Sequence, residues 1–238
     1  MVDDPTPDVP VSVESLTSFV VAAGAAAVGS LDPTLAIVAS GAGAGAMPLL
    51  QKAIQAAYDR FTKKFTRTVE AGVQDSGVSF QELIIAADKD PFRQQLTSDV
   101  LEASGKTPFE DKLVALGRAW AKGILTDDDA VLAREQQFVR SLARLEYPHL
   151  RVLNVIRGDF TQVPQGLALV DGWTTEAVRS QLPEYGDLVP QLISVLVSEG
   201  LIANQTIQNP LVPGTQFRIT QAGEELFARV EDASTPDA

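Results

Sequence analysis

Between Glu14 and Lys52 the chain carries a single charged residue, Asp32, and is built mostly of Ala, Gly, Val and Leu, closing on Ser40-Gly41-Ala42-Gly43-Ala44-Gly45-Ala46. Water penalises exposed apolar surface, so a stretch this poor in polar groups must be buried in the chain's own core, in a partner or in lipid. Lys52, Arg60, Lys63, Lys64 and Arg67 then follow a start that holds no basic residue.

The chain's 238 residues suffice for one large or two modest domains with real cores. Aromatics make up only 6% of it, and abundant Ala favours helices that pack closely. A net charge of −12 argues against non-specific attraction to nucleic acid over the whole surface, because phosphates are repelled at long range. With no Cys, disulfides, thiolate catalysis and Cys-ligated zinc or iron–sulfur sites are excluded. The start, Met1-Val2-Asp3-Asp4-Pro5, is acidic where a secretory signal needs a basic region, so the expected location is cytoplasmic.

The expected fold is mainly α. Residues 1–13 read as a disordered acidic tail, 14–146 as a helical domain containing the apolar segment 15–51, 147–231 as a smaller α+β module, and 232–238 as a tail. Within the apolar segment Asp32 can cap a second helix opened by Pro33, which makes an Ala/Gly-rich hairpin. Caps are legible further on. Ser79-Phe80-Gln81-Glu82 and Thr107-Pro108-Phe109-Glu110 have capping-box spacing, Asp90-Pro91 opens a helix, and Thr126 with Asp127, Asp128 and Asp129 starts another. Leu113, Leu116, Trp120 and Ile124, then Val131, Phe138, Leu142 and Leu145, recur at helical spacing and read as core.

A helix expected from Pro48 to about Ala71 has two faces. At roughly 100° per residue, Ile54, Tyr58, Phe61, Phe65 and Val69 fall on one side and Arg60, Lys63, Lys64 and Arg67 on the other. An aromatic face opposite a basic stripe suits anionic head groups, and it equally suits a bundle helix with a solvated basic face. The apolar segment leaves the same choice open. Leu16–Leu31 is shorter than the roughly twenty residues a bilayer crossing needs, and Ala and Gly insert weakly. Gly24, Gly29, Gly41 and Gly45 offer small surfaces for close helix packing in lipid, in a soluble hairpin or between copies of the chain. Gly41-Ala42-Gly43-Ala44-Gly45-Ala46 also matches a dinucleotide-binding turn after Leu35-Ala36-Ile37-Val38, with Glu70 as a ribose acid. No alternation of strands and helices follows, so no cofactor is expected.

After Tyr147 the pattern changes. Short helices are expected over Pro148–Arg157, Thr174–Gln181 and Leu188–Glu199, strands over Leu201–Ile207 and Gln216–Ile219 around Pro210-Leu211-Val212-Pro213-Gly214, and a last helix from Thr220. At Ser198-Glu199-Gly200-Leu201-Ile202 and Phe217-Arg218-Ile219-Thr220-Gln221-Ala222-Gly223-Glu224-Glu225-Leu226, residues 147–231 resemble winged-helix domains. The resemblance implies that the helix before Gly200 is the recognition helix and that the two strands form the wing. The run from Phe138 to Leu153 makes the whole chain similar to uncharacterised bacterial proteins that join a helical domain to a winged helix. A DNA-reading helix needs donors for phosphates and base edges, but Tyr185–Glu199 has no basic residue and one amide, Gln191. From Tyr147 onward five Arg face eleven acids, which favours protein contacts over DNA.

Catalytic patterns are sparse. His149 follows Pro148 at a helix start, where capping or packing is expected. Asp127, Asp128 and Asp129 lack the spacing of a Ca²⁺ loop and read as a solvated cap. No G-x-S-x-G, H-E-x-x-H or P-loop occurs. The expected function is a non-enzymatic regulatory or scaffold protein with no metal or cofactor. Its winged helix would contact protein, and its Ala/Gly-rich region would mediate oligomerisation or peripheral contact with the inner membrane face. The alternatives are a winged-helix transcriptional regulator and a membrane-perturbing toxin or phage-defence effector.

Overall fold

The computed structural model describes residues 47–158, 172–207 and 214–234. The tail, the Ala/Gly-rich hairpin, Gly24, Gly29, Gly41, Gly45 and the dinucleotide-like turn lie outside the described residues. Helices hold 79% of what is described, so the mainly α expectation is met and the only sheet among these residues has two strands. The helices are α1 (Met47–Ser76), α2 (Phe80–Ala87), α3 (Pro91–Lys106), α4 (Glu110–Leu125), α5 (Asp129–Arg144) and α6 (Tyr147–Arg157). Next come α7 (Thr175–Gln181), a 3-10 turn (Pro183–Leu188), α8 (Val189–Ser198), strands β1 (Ile202–Ile207) and β2 (Gly214–Ile219), and α9 (Gln221–Ser234).

The helix starts follow from local chemistry. Ser79 and Glu82 exchange hydrogen bonds with each other's backbone, and the Asp90 carboxylate accepts from the amides of Phe92 and Arg93, so both ends satisfy donors that a first turn leaves unpaired. Thr107-Pro108-Phe109-Glu110 does not form the expected capping box. Thr107 instead closes α3, its hydroxyl accepts from the Phe109 amide, and Glu110 begins α4 with its carboxylate held by Arg67, 2.7 Å away. The start of α5 is also displaced. Asp128 is the capping residue and Thr126 accepts from the Asp128 amide. Helix α1 runs five residues past Ala71, because Gly72 sits in a helix crossing and only Gly77, at φ 66°, ends it.

Helix α4 is the axis of the structure. It touches α1, α2, α3, α5 and α9, and Leu113, Leu116, Trp120 and Ile124 are all buried as expected. Of the apolar positions expected on α5, Phe138 and Leu142 are buried and Val131 is half-buried. Trp120 donates through Nε1 to the Thr97 hydroxyl at 3.0 Å, which leaves no polar atom of that ring unpaired in the core. The tightest crossing is α1 on α4. A Cβ added at Gly72 would stand 2.9 Å from the Gly117 carbonyl oxygen, and one added at Gly117 would collide with the Thr68 carbonyl. Arg93 seals the far end of α4 by donating to the carbonyls of Ile124 and Thr126.

Helix α6 begins the second half of the chain. It packs on α7, α8, β2 and α9. β1 and β2 pair antiparallel, Ile202 opposite Ile219, and Trp173 adds an isolated bridge to Phe217 through two backbone hydrogen bonds of 2.8 and 2.9 Å. Helix α8 ends at Gly200, at φ 69°, with Leu201 N–H donating to the Leu196 carbonyl. The Thr220 hydroxyl donates to the Gly200 carbonyl and accepts from the Gly223 amide, so it caps α9 and ties it to the end of α8. Gly223 has no room for a Cβ against the Leu201 carbonyl. The boundary expected after residue 146 falls between α5 and α6, but one hydrophobic cluster runs from Phe65 to Val230 on both sides of it.

The α1–α4 crossing gives a direct test. Gly117→Ala should lower stability to denaturant by about 1–3 kcal/mol, the usual range for overpacking. Gly186→Ala, where nothing lies within 4 Å of the added carbon, should leave the transition in place.

Candidate functional site

Three regions carry the charged and exposed groups on which a function could rest. The first is the basic stripe of α1. Arg60 and Lys63 are exposed and have no hydrogen bond or ion pair among the described residues. Lys64 and Arg67 are occupied: the Lys64 ammonium donates to the Gly105 carbonyl at 3.1 Å, and Arg67 reaches Glu110 and Glu70. The four cations therefore divide, two facing solvent and two fastening α1 to α3 and α4. Phe65 and Val69 are buried and Phe61 half-buried, which places the expected apolar face against the core from Phe61 onward.

The second region is α8 and the strands after it. Val189, Leu192, Ile193 and Leu196 are buried, and Pro190, Gln191, Ser194 and Ser198 form the exposed side. Leu188, just before the helix, is 50% exposed. Glu199 ends the helix and points back to the first half of the chain. Its carboxylate accepts from the Ser141 hydroxyl at 3.0 Å and from Arg144 at 2.8 Å. Arg179 is turned to the Gly186 carbonyl and Arg151 lies 3.9 Å from Glu184, so neither guanidinium extends α8 with a basic rim.

The third region is the joint between α5 and α6, together with the contacts that clamp α9 over it. His149 is 8% exposed, and its Nδ1 accepts from the Glu146 amide at 3.0 Å, in the capping role expected for it. Burial, helped by the Lys112 charge, pushes this imidazole below its ordinary value against the pull of Glu146. Lys112 is only 3% exposed and donates to the Leu145 carbonyl at 2.6 Å. Burial pushes its ammonium down to about 8, although Glu146 pulls the other way. Glu135, fully buried on α5, is held by Lys122 at 2.9 Å and by Arg229 of α9 through two bonds of 2.6 and 3.1 Å. Arg229 also bonds Glu225 and stacks 4.5 Å from the Phe138 ring centroid.

Sequence reading missed Lys112 and Glu135 as buried charges. The signal was there: Lys112 is four residues before Leu116, and Glu135 lies between Leu132 and Phe138, so helical period puts both on apolar faces. Asp127 is 94% exposed, Asp128 caps α5, and no cluster of three or more acids or His suited to a metal ion occurs among the described residues. Glu70 is exposed beside Arg67. Among the described residues no helix is long and apolar enough to cross a membrane. The chain matches no protein-family model, and comparisons with curated proteins and with solved structures likewise find no match.

The buried ammonium makes stability depend on pH in a defined window. The folded-state value of about 8 lies below the ordinary 10.5, so between these values the unfolded chain binds more protons and stability rises with pH. Measured against Lys112→Met by denaturation at pH 7 and at pH 10.5, the wild-type chain should gain roughly 3 kcal/mol on the alkaline side. An unchanged difference would place Lys112 in water.

Proposed function

We propose that residues 147–231 form a winged-helix module used for protein contacts, and that the chain is a non-catalytic regulatory or scaffold protein of the cytoplasm. The order α6, Trp173 bridge, α7, α8, β1–β2 and α9 supports the winged-helix reading, with α8 in the place of the recognition helix. The observation that carries the choice of partner is the exposed side of α8: Pro190, Gln191, Ser194 and Ser198 offer no cation to a phosphate. Its last turn leads into Glu199, already satisfied by Ser141 and Arg144. A neutral, hydroxyl-bearing surface beside the exposed Leu188 is suited to another protein.

Fluorescence anisotropy with random-sequence duplex DNA tests the partner class. No binding tighter than about 10 µM at low salt is expected, since even non-specific DNA binders fall near that range at physiological salt. Tighter binding that weakens steeply with salt would favour the transcriptional regulator. A photo-crosslinking residue at Ser194 should yield one discrete protein adduct in the native host, while the same residue at the buried Leu196 should yield none.

The exposed pair Arg60 and Lys63 supports a second, peripheral role at anionic membranes. Arg60→Glu with Lys63→Glu should abolish co-flotation with anionic vesicles and leave helicity intact, because neither side chain fastens α1 to its neighbours. Unchanged flotation of the double variant, or none by the wild type, removes that role; leakage of the vesicles would favour the effector reading.

A further inference from the structure

In a capping box the third helical residue reaches back to the amide of the capping residue, and Glu or Gln ordinarily takes that position because its side-chain oxygen accepts at neutral pH. Helix α2 follows the rule. The Glu82 carboxylate accepts from the Ser79 amide at 3.1 Å, and bonds from the Ser79 hydroxyl and amide hold that carboxyl below its ordinary value. At α6 the same position is taken by His149, whose Nδ1 accepts from the Glu146 amide at 3.0 Å. A ring nitrogen that accepts carries no proton, so this cap exists only while the imidazole is neutral. Protonation would set one N–H donor against another. It would also put a second cation into a joint where His149 is 8% and Lys112 3% exposed. The backbone there is built to bend, because α5 ends at Arg144, α6 begins at Tyr147, and only Leu145 and Glu146, both extended, join them.

We infer that the α5–α6 joint is an acid-sensitive hinge: neutral His149 holds the first turn of α6 closed on Glu146, and a proton on Nδ1 opens it. Burial, helped by the Lys112 charge, holds this imidazole below its ordinary 6.5 against the pull of Glu146, so the closed joint binds fewer protons than an open one. Closure is complete above the ordinary value and is lost as pH falls through the folded-state value. The other charges around α6 do not change in that window. On α4, Asp111 is half-buried beside Lys112 and Glu110 is held by Arg67. On α9, Glu224 and Glu231 are held by Arg157, and Glu225 and Arg229 belong to the Glu135 clamp. Arg179 of α7 is turned to Gly186, Glu184 lies beside Arg151, and Glu199 after α8 is held by Arg144. Glu176 of α7, Arg218 of β2 and Asp232 of α9 are exposed. Carboxylates as a class stay ionised above about pH 5, and His149 is the single His of the chain. The Glu135–Arg229 and Glu199–Arg144 contacts therefore persist and confine the opening to the start of α6. Tyr147 lies in that first turn with its ring centroid 5.7 Å from that of Phe109, so the opening shifts a contact between the two halves of the chain. The hinge is independent of the winged-helix reading, since it needs only the joint.

The test is two-dimensional NMR of the full-length chain from about pH 7.5 to about pH 4.5, the range in which an imidazole titrates. It follows the one imidazole and the amides of Glu146, His149 and Leu150, with the Ser79 amide as the control cap. The imidazole should titrate below its ordinary 6.5, and the three amides should shift with the same midpoint while the Ser79 amide stays in place. Hydrogen exchange at Glu146 and Leu150, corrected for the intrinsic effect of pH, should quicken severalfold by about pH 5.5. The ceiling there is about tenfold, the most that one group of ordinary value in the open state supplies a unit below that value. His149→Gln, which restores the usual acceptor of a capping box, should make both the amide positions and the exchange independent of pH. If that variant does not fold, the wild-type titration decides the matter. An imidazole that titrates at or above its ordinary value or not at all in this range, amides that do not follow it, or a pH response retained in His149→Gln would overturn the assignment.

Discussion

Everything else in the first half rests on how closely α1 and α4 approach one another. Gly117 and Gly72 remove the side chains that would hold two helix backbones apart, and Thr68 and Ala71 fill the remaining contact with small groups. That approach turns α4 into a helix buried on most of its circumference, so α2, α3, α5 and α9 can each take a side of it. A larger residue at the crossing would push α1 outward and weaken the packing of Phe65 and Val69 at the same time. The abundance of Ala in α4 and its neighbours follows from the same geometry, because close axes leave room only for short side chains.

Once α4 is enclosed, charged groups on its buried face and on that of α5 need partners from elsewhere in the chain. Glu135 finds them in Lys122 and in Arg229, which arrives from the last helix. Removing either cation leaves a buried carboxylate short of hydrogen bonds, a larger cost than a surface ion pair ever contributes. The ion pair therefore acts as a register pin: α9 can seat on α4 and α5 only where Arg229 meets Glu135 and its plane covers Phe138. Arg144 and Ser141 do the same for the end of α8 through Glu199. These polar contacts, with one continuous hydrophobic cluster, fix the second half of the chain to the first at two separate places.

Element type was legible in the sequence because the helices carry strong local signals. Ser79 with Glu82, Asp90 with Pro91, and Gly200 each announced a helix end that the structure has. Thr107 with Glu110 misled, since the same spacing serves the end of one helix and leaves the acid to Arg67, a partner 43 residues away in sequence. The basic stripe of α1 was legible as a helical face. That Lys64 and Arg67 are used internally was not, because their partners, Gly105 and Glu110, lie on other helices. Lys112 and Glu135 were readable as charges on apolar faces, but which groups answer them depends on helix packing. The pairing of Trp173 with Phe217 was likewise out of reach of local pattern, being a long-range backbone bridge with no motif of its own.

On the proposed reading, the chemistry of α8 selects the class of partner. DNA recognition draws much of its affinity from phosphate neutralisation, which is lost when a helix presents Gln191, Ser194 and Ser198 within an acidic module. Protein recognition needs no such term. It depends on shape and on a few apolar anchors, and the exposed Leu188 beside α8 provides one.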